Sequence, residues 1–337
     1  MNYDIVETIK SYTPFLTGES PLFIGTILSS IALAFVYWRR TIKDSVADAP
    51  SFWQFLVPEA VRTSNSVTQD LWLAILIPPV ATLIFLANLQ GGMIIAQNVQ
   101  TYAEHVFGPA SYFPTRHIIL LNIIYTFILA VVLDLIFFVF HVACHKNNIL
   151  WELHKVHHSA TVLTPLTDFR SHPIQLLIDI VMTPIILAMA TGGLAYLSHN
   201  QLSMISFLGA NVVIFATHSF GGSLRHSHIP VSFGLLDYVI QSPAMHHVHH
   251  STDPRHHGKN YSGGFVWWDM ILGSFYRPER GEVIIPGLSG EDNHAIENMS
   301  FAELMFDPIR KIADIVAKSR RNHIGVNLEE KIEAETT

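Results

Sequence analysis

An all-α integral membrane protein, with about four to five hydrophobic helices and a histidine-rich helical domain on one membrane face, is the fold class the sequence predicts. Three observations predict it. Charged residues make up only 14% of the 337 and hydrophobic ones 50%, whereas an average soluble domain is about 25% charged. Five long stretches carry no charge or a single one. Of the 20 histidines, equal in number to Lys plus Arg, fourteen gather in two windows, 141–158 and 218–257, beside the ends of those stretches. The same numbers exclude a disordered chain, which would be polar and charged. The single Cys144 excludes a disulfide scaffold, a thiolate zinc site and a thiolate-held iron–sulfur cluster. A net charge of −7 gives no basic signature for a nucleic-acid partner.

A spanning helix needs about 20 apolar residues. The first candidate is 21–38, read as an uncleaved span because its leader has Asp4, Glu7 and Glu19 against Lys10, the reverse of a signal peptide. Residues 51–61 mix Trp53 and Phe55 with polar groups and suit the membrane interface. The second span is 71–90, with a kink expected at Pro78-Pro79, followed by a loop over 91–117. The third is 118–140 with one charge, Asp134, and the fourth 174–197 with one, Asp179. Residues 202–217 would complete a tight hairpin that spans the bilayer or dips into it. Arg39, Arg40, Lys43 and Arg62 place the 39–70 loop in the cytoplasm by the positive-inside rule. Five spans then put both 141–173 and everything after 217 on that side. Beyond Arg277 the chain turns acidic and polar, and Ser300 and Glu303 form a capping box that opens a short helix, interrupted at Pro308. The expected organisation is a membrane region over 1–117, a catalytic domain over 118–278 and a soluble tail over 279–337.

The histidine spacing carries the chemistry. His141 and His145 are four apart at the end of the third span and share a helix face. His154, His157 and His158 form an H-x-x-H-H set, repeated by His246, His249 and His250, while His226 and His228 are two apart. So many imidazoles brought together without a metal would repel as cations or leave ring nitrogens unsatisfied. Neutral imidazole is the commonest metal-binding side chain, and a bound metal removes both problems. Eight to ten imidazoles imply two ions with four or five each. Ligand type alone does not choose among iron, zinc, copper and nickel. The zincin H-E-x-x-H and the paired E-x-x-H helices of soluble di-iron carboxylate proteins are absent.

The set H-x-x-x-H (141–145), L-H-K-V-H-H-S (153–159), R-S-H-P (170–173), R-H-S-H (225–228) and S-P-A-M-H-H-V-H-H-S (242–251) resembles the fatty acid hydroxylase/sterol desaturase superfamily of membrane enzymes. K-N-Y-S-G-G (259–264) and W-D-M-I-L-G-S (268–274) resemble the end of that family's domain. The resemblance implies two non-haem irons on the cytoplasmic face and a lipid substrate, sterol or fatty-acyl, hydroxylated or desaturated with O2. It assigns as ligands His141, His145, His154, His157, His158, His246, His249 and His250. His226 and His228 match less closely, because many relatives have H-x-N there. Asp134, Asp168, His172, His218 and Asp253 are candidates to support the ligands from behind. His247 is expected to point away, and His256 and His257 to lie near the site. No G-x-G-x-x-G dinucleotide fingerprint or cluster-binding Cys set is present, so electrons are expected from a separate reductase, ferredoxin or cytochrome. A bacterial inner membrane is preferred over the endoplasmic reticulum. A zinc-dependent membrane lipid hydrolase is the main alternative, weakened by the lack of a carboxylate base in the motifs. A metal transporter is the other, and it would place its ligands at mid-membrane rather than at helix ends.

Overall fold

Apolar runs too long for a soluble core become the main helices of the computed structural model, which describes residues 21–45, 48–109, 115–207, 210–289 and 299–336. Helix α1 (Pro21–Tyr37) passes into one π-helical turn, Trp38–Lys43. Two short helices follow, α2 (Phe52–Leu56), opened by a Ser51–Gln54 capping box, and α3 (Glu59–Thr63). Helix α4 is Asn65–Phe107, α5 is Ile118–Lys146, α6 is Asn148–His158 and α7 is Pro173–Ser198. A two-residue hairpin, β1 (Ser206–Phe207) and β2 (Ala210–Asn211), leads into α8 (Val212–Ser219). Then come α9 (Pro243–His249), α10 (Trp267–Leu272) and α11 (Phe301–Thr336). Among the described residues, three segments are long and apolar enough to cross a membrane: Asn65–Phe85 of α4, all of α5 and all of α7.

Helices α4 and α7 run side by side in the same direction. Asp70 meets Arg170 just before α7, Ala81 and Phe85 pack with Ile180, and the Tyr196 hydroxyl donates to Gly108 O. The contact is close because its residues are small, as in other membrane helix pairs. A Cβ on Gly192 would collide with the Ala96 carbonyl of α4. Helix α5 runs the opposite way, with Leu129 against Leu187 and Ile214.

Three expectations change. The stretch 91–117 is not a loop, because α4 continues without a break through Pro78-Pro79 to Phe107, about 65 Å in all. The stretch 202–217 is not a fifth spanning helix. The chain returns beside α5 in extended form, with Ser203 N–H donating to Asn122 Oδ1 and Ile205 N–H to Thr126 Oγ1. It becomes helical only where Asn211 caps the N–H groups of Val213 and Ile214, and α8 is eight residues long. The tail helix is not short, because α11 runs 36 residues through Pro308. The Ser300–Glu303 capping box that opens it is present.

The returning chain brings the 222–228 turn back to the end of the bundle where α5 ends and α6 begins. Ala34 of α1 packs there with Leu224, Ile229 and Val231, so Arg39, Arg40 and Lys43 lie at that same end. Arg170 ties this end together. It is fully buried, its Nη1 donates to Asp70 Oδ1 (2.7 Å) and Ser66 O, its Nη2 to Gln69 Oε1 and Ser159 Oγ, and its Nε to Val156 O. One guanidinium thus joins the start of α4 to the end of α6. Its full set of donors is used, the condition under which a buried charge is tolerated. Arg170→Ala leaves the Asp70 carboxylate buried without its partner. A loss of about 3–5 kcal/mol is expected, read as a lowered midpoint of thermal unfolding in detergent micelles. An unchanged midpoint would contradict this account of the anchor.

Candidate metal centre

Among the described residues, nine imidazoles converge at this end in two adjacent groups. His141, His145, His154, His158 and His249 form one, and His157, His226, His246 and His250 the other, with the nitrogens of each group within 4.8 Å of one another. Rings of the two groups touch, His158 stacking on His250 at 4.5 Å between centroids. The H-x-x-H-H sets do not present three rings on one face. In α6 the i,i+4 pair His154 and His158 goes to the five-membered group while His157 goes to the other. In α9 the pair His246 and His250 goes to the four-membered group and His249 crosses back. A helix rotates about 100° per residue, so an i,i+4 pair is only about 40° apart, while the intervening histidine lies about 100° from the second. The two helices therefore trade one histidine each. Helix α5 adds the pair His141 and His145, and the 222–228 turn adds His226.

The outer nitrogens are held from behind, largely by backbone. His141 Nδ1 donates to Tyr261 O (2.6 Å), His157 Nδ1 to Arg170 O (3.1 Å) and His249 Nδ1 to Lys259 O (2.9 Å). His226 Nδ1 meets Asp168 Oδ1 at 2.5 Å, and His154 Nδ1 meets the Gln175 amide. Carbonyl and carboxylate oxygens only accept, so in His141, His157, His226 and His249 Nδ1 carries a hydrogen and Nε2 is left for the lone pair. The consequence is sharp in the second group. His157 Nε2 and His226 Nε2 face each other at 3.1 Å as two lone pairs, and His226 Nε2 also lies 2.9 Å from His246 Nε2. In the first group, the buried Nε2 atoms of His145 and His249 have no hydrogen-bond partner. These residues fit a bound metal cation in each group, which every inward lone pair would satisfy.

Protons do not offer an alternative. Burial, reinforced by neighbouring imidazoles, holds His154, His157, His158, His246 and His250 well below the ordinary histidine range. Burial likewise takes His249 down to about 3 and His247 to about 4. These seven rings are neutral at pH 7, the form that binds metals.

The tenth predicted ligand, His228, is not in either group. Its Nε2 donates to Phe55 O at 2.8 Å and its ring packs on the Phe55 ring, because α2 folds beneath it. Among the described side chains of the supporting candidates, only Asp168 touches a clustered histidine. Asp134 instead accepts from Phe265 N–H and from the Trp268 indole at 2.8 Å, tying α5 to the loop before α10. His172 caps α7 at Ile174 N and donates to Met305 O of α11. Asp253 pairs with Arg255 in an exposed turn. The side chain of His218 lies outside the described residues. His247 points away to Leu224 O, and His256 bonds Ser251 and Glu282. Arg170 and Gln175, which position His157 and His154, escaped the sequence reading of the site. The R-S-H-P motif was their signal, with its lone Arg next to an apolar span.

Residues 126–274, which hold every clustered histidine, match the model of the fatty acid hydroxylase family. Over this region the chain is similar to the fatty acid hydroxylase family, in agreement with the resemblance its histidine motifs carry. An ornithine lipid hydroxylase of Rhizobium tropici is 30% identical over 151 residues, 45% of this chain and 41% of that protein. Alkylglycerol monooxygenases of Caenorhabditis elegans and Homo sapiens are 27% and 26% identical over 48% and 46% of this chain, and over 28% and 31% of their own lengths. The chain thus spans less than half the length of these curated relatives. No solved structure matches.

The buried neutral rings of this fatty acid hydroxylase region give a pH dependence whose sign is fixed. Their folded pKa values lie below 6.5, so the unfolded chain binds more protons in acid and folding weakens as pH falls. In metal-free protein the loss begins near pH 6.5 and continues, for His247 and His249, to about pH 4 and 3. A lower thermal midpoint at pH 5.5 than at pH 7.5 is expected, and equal midpoints would contradict it.

Proposed function

We propose that the protein is an O2-dependent lipid hydroxylase or desaturase with two non-haem iron ions, fed by a separate electron donor. The observation that carries this reading is the pair of adjacent all-imidazole groups at the end of the spanning helices. His141, His145, His154, His158 and His249 would hold one ion, and His157, His226, His246 and His250 the other. When bound, the irons supply the reductive activation of O2 needed to break an unactivated C–H bond, chemistry that side chains do not provide. Overall, a C–H bond, O2, two electrons and two protons become an alcohol and water. Loss of a second hydrogen instead gives an alkene and two waters.

The chain's own contribution is orientation and exclusion. Backbone carbonyls of Arg170, Lys259 and Tyr261 fix the ring tautomers, and Asp168 sets His226. Such outer partners orient metal ligands and tune their basicity. Trp151 packs on His145 and His158, and Tyr261 on His141 and His249, covering the rings with apolar faces.

The basic loop beside α1, at the same end as the histidines, favours a cytoplasmic site, with a bacterial inner membrane preferred over the endoplasmic reticulum. Residues 118–278 form the catalytic domain in this reading. The names of the relatives, acting on ornithine lipid and alkylglycerol, favour a polar lipid over a sterol. A reductase, ferredoxin or cytochrome supplies the electrons. The hydrolase alternative is not favoured, because the carboxylate that touches the groups among the described residues, Asp168, is engaged by His226.

Reconstituted protein with a reductant and a lipid extract should consume O2 and give lipid products shifted by +16 or −2 in mass. His157→Ala and His249→Ala should each abolish both signals, and full activity in either would overturn the assignment. Asp168→Ala should weaken iron binding about 10–100-fold, measured by chelator competition; unchanged affinity would contradict its role behind His226.

A further inference from the structure

The sequence expectation puts everything after residue 217 in the cytoplasm, yet one part of that region packs low on α5. Tyr261 O meets His141, a Cβ on Gly263 would meet Phe137, and a Cβ on Gly264 would lie 2.6 Å from Asp134 Oδ1. The rings of Phe265 and Trp267, stacked at 4.4 Å, both reach Phe127 at about 6 Å. Phe127 is 14 residues before His141, about 21 Å along the helix. The chain from Tyr261 to Trp267 therefore descends the same α5 face that ends in the histidines. It descends toward the middle of a helix long and apolar enough to span the membrane.

A second segment accompanies it. Gln241 N–H donates to Gly264 O and Val266 N–H to Val239 O, so residues 239–241 pair with 264–266. The outward surface of the two segments is apolar. Leu235 is 84% exposed and Ile271 79%, with Leu236, Val239 and Leu272 also exposed. These values match residues on the outer faces of the spanning segments, such as Leu83 at 70% and Ile119 at 74%. No Lys or Arg occurs in 229–246 or 260–276, and the two acids there, Asp237 and Asp269, are buried. Asp237 is held by Ser232 Oγ and Phe233 N–H, and Asp269 by the N–H groups of Tyr261 and Ser262. At the edge, Arg277 bonds Asp237 and lies over the Tyr238 ring. An aromatic and a cation together are the pair expected at a headgroup boundary.

We propose that residues 234–240 and 264–272 form a lobe that inserts, without spanning, into the acyl region of the leaflet on the histidine side. The occupant of its apolar surface is lipid chain. Continuity argues for this, since the lobe lies on α5 at depths where α5 itself faces lipid. Non-helical backbone survives at membrane depth only when packed against protein with its polar groups satisfied. The pairing of the two segments and the Asp134 bond to Phe265 N–H meet that condition.

The full chain in phosphatidylcholine vesicles tests this. An environment-sensitive fluorophore is placed at Leu235→Cys, at Ile271→Cys and, as an aqueous reference, at Arg255→Cys; Cys144 is buried and stays in place. At 235 and 271, spin labels on lipid chains should quench strongly and aqueous iodide several-fold less than at 255. Iodide quenching equal to that at 255, or shielding from both quenchers by a second copy or another protein, would overturn the proposal. The unsubstituted protein gives a readout free of folding effects. A membrane-partitioned carbene reagent should label the tryptic fragment 260–280 together with the spanning helices, and absence of label there would overturn it equally.

Discussion

Two lone pairs facing each other at 3.1 Å in a buried site, His157 Nε2 against His226 Nε2, are the constraint around which this molecule is organised. Neither ring can turn away, because His157 is held at its other nitrogen by the Arg170 carbonyl and His226 by Asp168. Burial and the neighbouring imidazoles disfavour a proton on His157. A cation relieves the conflict, and the neighbouring group of five presents the same arrangement with its own unpartnered nitrogens. A protein that builds this many inward acceptors must hold them firmly against their own repulsion. Much of the fold at this end serves that purpose.

Arg170 shows how. Its guanidinium fastens the start of α4 to the end of α6, while its own carbonyl fixes His157. The turn before it carries Asp168 and, through Thr167, bonds the second oxygen of Asp70. The tail adds a further layer, since Gln69 donates to Met299 O and His172 to Met305 O. Anchor, ligand support and tail are thus one connected network rather than separate features.

The sequence was legible where side-chain type and helical period suffice. The histidine pairs four apart at 141/145, 154/158 and 246/250 each act as a unit, and the apolar runs of α5 and α7 become helices close to the expected limits. It was less legible where the outcome depends on how helices cross. That His157 and His249 each serve the other helix's group follows from the mutual orientation of α6 and α9, which no local spacing encodes. His228 shares the R-H-S-H motif with His226, but α2, some 170 residues earlier in the chain, takes it away. The carbonyls of Tyr261, Arg170 and Lys259 act through backbone, which leaves no residue signature. Asp134 was noticed as an acid inside a span, but its partners come from a loop about 130 residues on.

The central claim is that two separate imidazole groups each hold one metal ion. Elemental analysis of the purified full chain tests it most directly, comparing the unsubstituted protein with His226→Ala, a change confined to the group of four. The account predicts two iron ions per chain in the former and about one in the latter. Finding no iron, or finding two ions still bound after His226→Ala, would contradict it.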